Sequence, residues 1–263
     1  MFRRVLVALD ASRASRGALE ASAGIATGLR AELVGLFVED VNLLRLAAFP
    51  ATRVLAPGSS ACDLDVPTIE RALRAAAAEA RGFLESLARR NDVPCAFRVV
   101  RGLIASEVVA GSDAGDLVVV DQRTAGAAWT AIVADARASI LLLEAQPSDR
   151  GSLVAVYPDE PAWEEGVSGV ARLALATGRS LAVVRPPGAE QDEFERRLGS
   201  LFAASEVRWE AIGPPVDVDA IAAALRARPG VVVAMPSTLF SMASGGDVEA
   251  LLRRAACSIL LVR

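Results

Sequence analysis

Residues Asp116–Glu144 read DLVVVDQRTAGAAWTAIVADARASILLLE, and this segment sets the architecture. Short apolar runs at its two ends predict buried strands at Leu117–Val120 and Ile140–Leu143, with a loop and a helix between them. The chain closes with a similar segment, Gly230–Arg263, GVVVAMPSTLFSMASGGDVEALLRRAACSILLVR. Both contain Ser-Ile-Leu-Leu after a predicted helix, and the two serines, Ser139 and Ser258, lie 119 residues apart. The sequence therefore indicates one architecture built twice.

Length and composition limit the class of protein. The 263 residues are enough for one large domain or two of about 100–150 residues, and 53% of them are hydrophobic. No apolar run reaches the roughly 18 residues that a membrane span needs, and the N-terminus has no signal-peptide pattern. The net charge is −4, and no helix carries a basic stripe. We expect a cytoplasmic protein that binds neither membranes nor nucleic acid.

Two residue types are missing. The chain has no histidine and no lysine, so all 28 basic residues are arginine. This excludes Ser–His and Cys–His nucleophile pairs, HExxH zinc sites, the Walker A lysine and Schiff-base chemistry. The three cysteines, Cys62, Cys95 and Cys257, show no metal-ligand spacing, and we interpret them as small buried residues. The composition predicts a protein that is not an enzyme and holds no metal.

The first half predicts strands and helices in alternation. A strand at Arg4–Leu9, a helix at Arg13–Leu29 and a strand at Glu32–Val38 form a βαβ unit, which implies a parallel sheet. Residues 39–67 interrupt this rhythm and are predicted to be a long loop. The next predicted elements are the helix Thr68–Arg90, the strand Cys95–Val100 and the helix Ile104–Ala110.

A polar segment, Gln146–Gly151, predicts the boundary between a first domain at 1–146 and a second at 151–263. The alternation then starts again without the insert. The predicted elements are strand Leu153–Tyr157, helix Ala162–Thr177, strand Ser180–Val184, helix Glu190–Ala203, strand Val207–Ala211, helix Val218–Arg226, strand Val231–Met235, helix Asp247–Ala255 and strand Ile259–Val262.

Four segments in this order resemble the universal stress protein family. They are VLVALDAS at 5–12, VVRG at 99–102, DLVVV at 116–120 and ACSILLV at 256–262. The resemblance covers both halves, and the shared order of the segments carries it. It implies two tandem Rossmann-like domains of the adenine nucleotide alpha hydrolase-like type. Each would be a five-stranded parallel sheet of order 3-2-1-4-5 with helices on both faces.

The resemblance also implies a ligand site. In such sheets ligands bind at the carboxyl ends of the strands, where the strand order reverses. Nucleotide-binding members of the family have an Asp after strand one, a residue at the end of strand two, and a glycine-rich loop of the form Gly-x2-Gly-x9-Gly-Ser/Thr. In this chain Asp10, Val38, Gly102 and Gly126 occupy matching positions.

The rest of the family's nucleotide site is missing. Asp121 and Thr124 replace the first two loop glycines, and a carboxylate at Asp121 would repel phosphates. In the second half Tyr157 replaces the Asp, and Pro236 and Leu239 replace the glycines. We therefore expect no cofactor. The alternative is a sensor that binds an adenine nucleotide, ATP or AMP, in the first-half cleft.

A second alternative is a metal-dependent hydrolase. Asp10, Glu39, Asp40 and Asp121 all follow predicted strands and would supply oxygen ligands to a divalent cation. The competing interpretation, which we favour, makes Asp10 a helix cap, Glu39 and Asp40 solvated loop charges, and Asp121 a strand end.

We interpret the chain as a non-catalytic tandem universal stress protein. It would act in the stress response through an unknown protein partner or a small molecule, with the insert 39–67 as a candidate partner surface. The apolar last strands of the two halves require cover, so we expect them to lie together as an intramolecular pseudo-dimer. Tandem chains of this kind would also be able to form homodimers.

Overall fold

The computed structural model describes residues 2–10, 14–49, 53–54, 62–63, 65–121, 128–143, 152–156, 164–184, 190–203, 207–212, 232–236 and 258–263. The elements of the first half are β1 (Arg4–Leu9), α1 (Ala14–Leu29), β2 (Glu32–Asp40), α2 (Val41–Ala47), β3 (Arg53–Val54), β4 (Cys62–Asp63), α3 (Val66–Asn91), β5 (Cys95–Gly102), α4 (Ile104–Gly111), β6 (Asp116–Asp121), α5 (Ala128–Asp135) and β7 (Ser139–Leu143). Those of the second half are β8 (Leu153–Val156), α6 (Glu164–Ala176), β9 (Leu181–Val184), α7 (Gln191–Phe202), β10 (Trp209–Ile212), β11 (Val232–Pro236) and β12 (Ser258–Val262).

One ten-stranded sheet joins the two halves. Its order is β10-β9-β8-β11-β12-β7-β6-β1-β2-β5. Each half contributes five strands to this sheet, and the five are parallel to one another. Numbered in chain order within the half, they follow the order 3-2-1-4-5, which confirms the predicted fold class. Parallel strands buried on both faces explain why their sequences are continuous apolar runs.

The two halves meet at their last strands, β7 and β12. These pair antiparallel, with Ile259 opposite Leu142, Leu260 opposite Leu141 and Leu261 opposite Ile140. The predicted adjacency of the two apolar strands is therefore observed. Because the two strands run in opposite directions, the carboxyl ends of the parallel strands lie at opposite edges of the sheet in the two halves.

The register shows that the two halves are equivalent residue by residue. One row across the first half contains Cys95, Leu33, Val5, Leu117 and Ser139. The matching row in the second half contains Trp209, Leu181, Leu153, Val232 and Ser258. Ser139 thus corresponds to Ser258, and Leu141 corresponds to Leu260, the residue that it faces. An approximate twofold axis therefore passes between Leu141 and Leu260.

Each face of the sheet has its own hydrophobic core. One core lies under α1, α3, α6 and α7 and runs through both halves, from Leu84 to Leu198. The other lies on the opposite face, under α4 and α5. Helices thus cover both faces of the first half, as predicted. Both cores contain residues of the two halves, so packing joins the halves on both faces of the sheet.

Helices α1 and α6 approach closely across the axis. A Cβ placed on Gly28 would lie 2.6 Å from the carbonyl carbon and 2.7 Å from the Cβ of Ala176. Gly28 precedes Leu33 by five residues and Ala176 precedes Leu181 by five, so the two contacting residues are equivalent. The missing side chain at Gly28 is what permits this contact.

The insert differs from its prediction as a long loop. Strand β2 continues through Glu39 and Asp40, and α2 follows at once. The Asp40 side chain accepts a hydrogen bond from Asn42 N at 2.8 Å and caps this helix. Residues 53–54 and 62–63 form a short two-stranded pairing. The interpretation of Glu39 as a solvated loop charge is wrong, since this residue is 8% exposed.

Helix α3 is longer than predicted, because a capping residue fixes each of its ends. The Asp65 side chain accepts a hydrogen bond from Thr68 N at 2.8 Å, and a proline stands in the first turn. These hydrogen bonds lower the pKa of Asp65. At the other end Asp92 adopts the left-handed conformation, with φ 52°, and closes the helix.

The environment of Cys95 differs from its prediction. The interpretation of Cys95 as a buried residue is wrong, because β5 is an edge strand and Cys95 is exposed. Partial desolvation, followed by the charge of Glu85, raises the pKa of its thiol and disfavours the reactive thiolate.

The domain boundary at 146–151 and the helices at 218–226 and 247–255 lie outside the described residues. No helix in the described part of the chain is long and apolar enough to cross a membrane.

Candidate ligand cleft of the first half

The candidate cleft lies at the carboxyl ends of β6, β1, β2 and β5. Strand order reverses between β1 and β6, and ligands of open α/β sheets bind at such a point. Asp10 follows β1 directly and is half-buried. Extending the pairing of Val7 with Val119 by two residues places Leu9 beside Asp121. The structure thus brings Asp10 and Asp121 to neighbouring strand ends, as the sequence predicted.

Asp121 is a buried acid at this edge. It ends β6 and is 3% exposed. Val119 belongs to the core on the α1 face and Val120 to the opposite core, so alternation places Asp121 on the α1 face. Burial removes the water that would otherwise weaken the repulsion between this carboxylate and an anion.

The structure places Val38 inside β2, and its role as a binding residue stays a prediction. It is 2% exposed, pairs with Val100 of β5 and belongs to the core under α4 and α5. Its side chain is already covered by protein, because β2 runs two residues past Val38 and buries this position inside the strand.

An arginine at the same edge is already paired. Arg101 Nε donates to Glu39 Oε2 at 2.9 Å, and Nη1 lies 3.3 Å from Glu70 Oε1 of α3. The hydrogen bond from Arg101 to Glu39, together with the charge of Glu39, raises the pKa of Arg101. The pair explains why Glu39 is tolerated in a nearly buried position. It also explains why Arg101 is a poor anion ligand, since its guanidinium is directed toward two carboxylates.

Gly102 is in contact with another acidic side chain. A Cβ placed on it would lie 2.7 Å from Cδ and 2.8 Å from Cγ of Glu107, and the carboxylate oxygen Oε1 is nearer still. Glu107 stands in the first turn of α4, where the helix dipole favours a negative charge. Sequence reasoning missed Glu107. The available signal was an acid in the first turn of a helix that follows the glycine directly.

The predicted metal cluster does not form among the residues that the structure describes. They contain no group of three or more His, Cys, Asp or Glu side chains that could hold a metal ion. Glu39 is directed to Arg101, and Asp40 caps α2. This donor set does not fit a divalent cation, which counts against the hydrolase alternative. Gly126, Thr124 and the second-half positions Tyr157 and Leu239 lie outside the described residues.

Comparisons with known proteins address the fold. No protein-family model and no curated protein matches the chain. Among solved structures, it is similar to a universal stress protein from Archaeoglobus fulgidus DSM 4304, with 13% identity and a TM-score of 0.69, over 99% of this chain and 96% of that one. It is also similar to a protein of Pseudomonas aeruginosa UCBPP-PA14 described as a universal stress protein, with 13% identity and a TM-score of 0.59, over 99% and 93%.

A third similar structure is the cytoplasmic domain of a prokaryotic cation chloride cotransporter. Identity is 13% and the TM-score 0.55, over 100% of this chain and 96% of that one. One fold therefore occurs in proteins of different kinds, and fold alone does not decide the function. What the strand order and these neighbours establish is that this chain has the universal stress protein fold, repeated twice in one sheet.

Proposed function

We propose that this protein is a non-catalytic tandem universal stress protein. It acts in the stress response, in the cytoplasm, by binding a protein or a small molecule, and it does not hold ATP in the way usual for the family. The observation that carries this proposal is the acidic carboxyl edge of the first half, where Asp121 is buried and Glu107 covers Gly102.

Electrostatics supports the exclusion of nucleotides. Two like unit charges 4 Å apart near a protein surface repel by about 4 kcal/mol, and a triphosphate carries several charges. The guanidinium of Arg101 is directed toward Glu39 and Glu70, so it does not offset the negative charges of a phosphate ligand. A neutral or cationic small molecule suits this edge better than a phosphate ester.

The non-catalytic part of the proposal rests on residue types. With no histidine and no lysine in the chain, the usual bases and nucleophile activators are missing. The carboxylates with described partners are engaged in structural contacts, Glu39 with Arg101 and Asp40 with the start of α2.

The protein-binding part is supported by helix α2. Leu43 and Leu46 of α2 have exposed apolar side chains. Phe49, two residues after the helix, is 66% exposed. Leu44 and Ala47 face the protein, so the helix packs on one side and leaves apolar area on the other. Exposed apolar patches of this kind are typical of interaction sites.

The nucleotide question is tested by isothermal titration of the purified chain with ATP, AMP and adenosine, with and without magnesium. We expect no heat of binding for ATP or AMP. The adenine-nucleotide sensor remains the second candidate, because Asp10 lies at the point where the strand order reverses. Binding of ATP that Asp10→Asn abolishes would establish that candidate and overturn the proposal.

The partner surface is tested by cross-linking in cells followed by mass spectrometry. Leu46→Ser with Phe49→Ser should lose partners that the unmodified chain retains. The matched control is Leu175→Ser, an exposed leucine of α6 that is 49% accessible. Equal loss in both variants, or no loss in either, would count against the α2 surface.

A further inference from the structure

Strand β5 forms one end of the ten-stranded sheet and, among the described strands, pairs along one side only. It pairs with β2 over its whole length, from Cys95 beside Leu33 to Gly102 beside Asp40. The strand at the other end of the sheet, β10, is half as long. A strand in such a position presents a row of backbone groups that can form hydrogen bonds with a further strand.

The register fixes which backbone groups of β5 point outward. Leu33 N donates to Pro94 O at 2.8 Å, so the C=O of Pro94 points toward β2. The direction of these groups alternates along a strand, which directs the N–H and C=O of every second residue away from β2. The outward residues are Cys95, Phe97, Val99 and Arg101. In the described part of the chain, no hydrogen bond reaches the outward backbone groups of these residues.

The side chains of β5 alternate between the two faces of the sheet. Phe97 packs against the core on the α3 face, and alternation places Val99, which is 44% exposed, on the same face. Arg98 lies on the α4 face between Ala96 and Val100, and it is exposed. The open edge therefore combines outward backbone groups with an apolar side chain on one face and a guanidinium on the other.

Two arginines near the middle of β5 have no carboxylate partner in the described part of the chain. One is Arg98 itself. The other is Arg81 of α3, an exposed residue whose guanidinium lies over the Phe97 ring, 5.1 Å from its centroid. Arg101 differs, because two carboxylates already neutralise it.

The ends of β5 carry no such surplus of positive charge. At the start of the strand, Glu85 and Arg89 act on the Cys95 thiol with opposite signs. At its end, the Glu107 side chain contacts Gly102. The uncompensated positive charge therefore lies at the middle of the strand, and a partner with acidic residues at its own centre would be complementary to it.

A second copy of the chain fits this edge less well. When two β5 strands pair antiparallel about a twofold axis, opposed side chains lie on the same face, so the axis passes through one residue of each strand. An axis at Arg98 sets the two guanidinium groups directly opposite each other, and an axis one residue to either side makes them diagonal neighbours. Like charges this close are unfavourable, so Arg98 protects the edge against self-pairing and favours an acidic partner.

We propose that β5 is the docking site for an extended acidic segment of a partner protein, which adds to the sheet as a further strand. Two consecutive acids of this segment point to opposite faces, where one meets Arg98 and the other meets Arg81. An apolar residue of the segment packs against Val99. The proposal rests on the proposed function and deepens it, since it names the chemistry of the partner and a surface other than α2.

The test uses the full-length chain and a labelled, blocked peptide, Thr-Thr-Val-Asp-Glu-Val-Thr-Thr, followed by fluorescence anisotropy. The control peptide has Asn-Gln in place of Asp-Glu. Two further peptides are N-methylated at alternate residues, so that each loses its backbone donors on one side only. The acidic peptide should bind, the control peptide should bind more weakly, and only one of the two methylated peptides should keep its affinity.

The protein variants test each part of the edge. Arg98→Gln and Arg81→Gln should each weaken binding of the acidic peptide by about threefold, and together by about tenfold. Arg172→Gln, at an exposed arginine of α6 in the other half, is the matched control and should change nothing. Val99→Pro removes an outward donor and keeps those that face β2, so it should weaken binding by about tenfold or more. Circular dichroism checks that each variant is folded.

Three results would overturn the proposal. They are no binding of the acidic peptide, equal binding of the acidic and control peptides, and equal binding of the two methylated peptides. A dimer in analytical ultracentrifugation that Val99→Pro dissociates would also overturn it, because a second copy would then occupy the edge. None of these results bears on ATP, whereas ATP binding would overturn the proposed function and leave the measurements at β5 unaffected.

Discussion

The two halves of the sheet share their strand order and their register, yet they differ at the carboxyl ends of their strands. Near the axis, equivalent residues face each other, as Leu141 and Leu260 do. At the carboxyl edges, Asp10 follows the first strand of one half, and the register makes Pro158 of the sequence, one residue beyond the predicted Tyr157, the corresponding position in the other. The repeated part of the molecule is the part that holds it together, and the part that differs is the candidate site.

The difference follows from what each region must do. Residues at the axis are constrained by packing on both faces and by the opposite strand, so few side chains fit. Strand ends carry no such constraint and are free to change with the ligand. The comparison therefore predicts large and similar effects for substitutions at the axis, and small or ligand-dependent effects at the edges.

The largest effects should come from the two axial leucines. Leu141→Ala and Leu260→Ala should each lower the free energy of unfolding by about 2–5 kcal/mol, because both side chains are buried and each leaves a cavity. Denaturant unfolding measures both. Val99→Ala, at an exposed position of β5, should change it by less than about 0.5 kcal/mol. Markedly unequal losses at 141 and 260 would show that the two halves are not equivalent at the axis.

A loss of similar or smaller size is expected at the amino ends of the first-half strands. Arg4 Nε donates to Asp116 Oδ1 at 2.8 Å, and Asp116 is fully buried. The equivalent second-half position to Arg4 is Ser152, which accepts a hydrogen bond from Ser180 at 3.1 Å. Arg4→Met leaves the Asp116 carboxylate without its cation and should lower the free energy of unfolding by about 2–4 kcal/mol. Ser152→Ala, the partner measurement in the other half, should cost less than about 1 kcal/mol.

The contact of α1 with α6 predicts opposite signs at two glycines of one helix. Gly28→Ala should destabilise the protein by about 1–3 kcal/mol, because the new methyl group overlaps Ala176. Gly24→Ala has open space around it and should stabilise the protein by about 0.5–1 kcal/mol through helix propensity. Thermal unfolding of the two variants gives the comparison. A gain at both positions would mean that α1 and α6 are not in close contact.

The smallest effect on stability is expected at Asp65, the N-cap of α3. Asp65→Ala removes the cap of α3 and should lower the melting temperature by a few degrees at most. Hydrogen bonds to Thr68 lower the pKa of Asp65, so the cap contributes fully above the unfolded-state pKa of about 3.9 and is lost as the pH falls through the lowered folded value. The difference between the two proteins should therefore be constant at neutral pH and disappear in acid. A difference that grows below pH 4 would contradict this account.

Sequence patterns predicted the sheet well because its strands are short apolar runs between polar breaks. The insert was harder. Leu43 and Leu46 suggested a structureless apolar segment, whereas α2 buries Ala47, partly buries Leu44 and leaves the other two exposed. Which side chains of α2 are buried depends on where α2 packs against α3, and a local sequence pattern does not predict that contact.

The site was predicted only in part, for the same reason. The register brings Asp10 and Asp121 together, and this follows from strand order alone. The burial of Glu39 depends on Arg101, which is 62 residues away along the chain. The covering of Gly102 by Glu107 depends on how α4 leaves the strand, and the family resemblance pointed instead to a ligand.

Native mass spectrometry of the freshly purified, full-length chain tests the central claim most directly, with ATP added in excess and spectra compared before and after denaturation. The account predicts the mass of bare polypeptide under native conditions and no specific ATP adduct. A nucleotide-sized mass that is present in the native spectrum and lost on denaturation would contradict it, and would show that the acidic edge of the first half accepts phosphates after all.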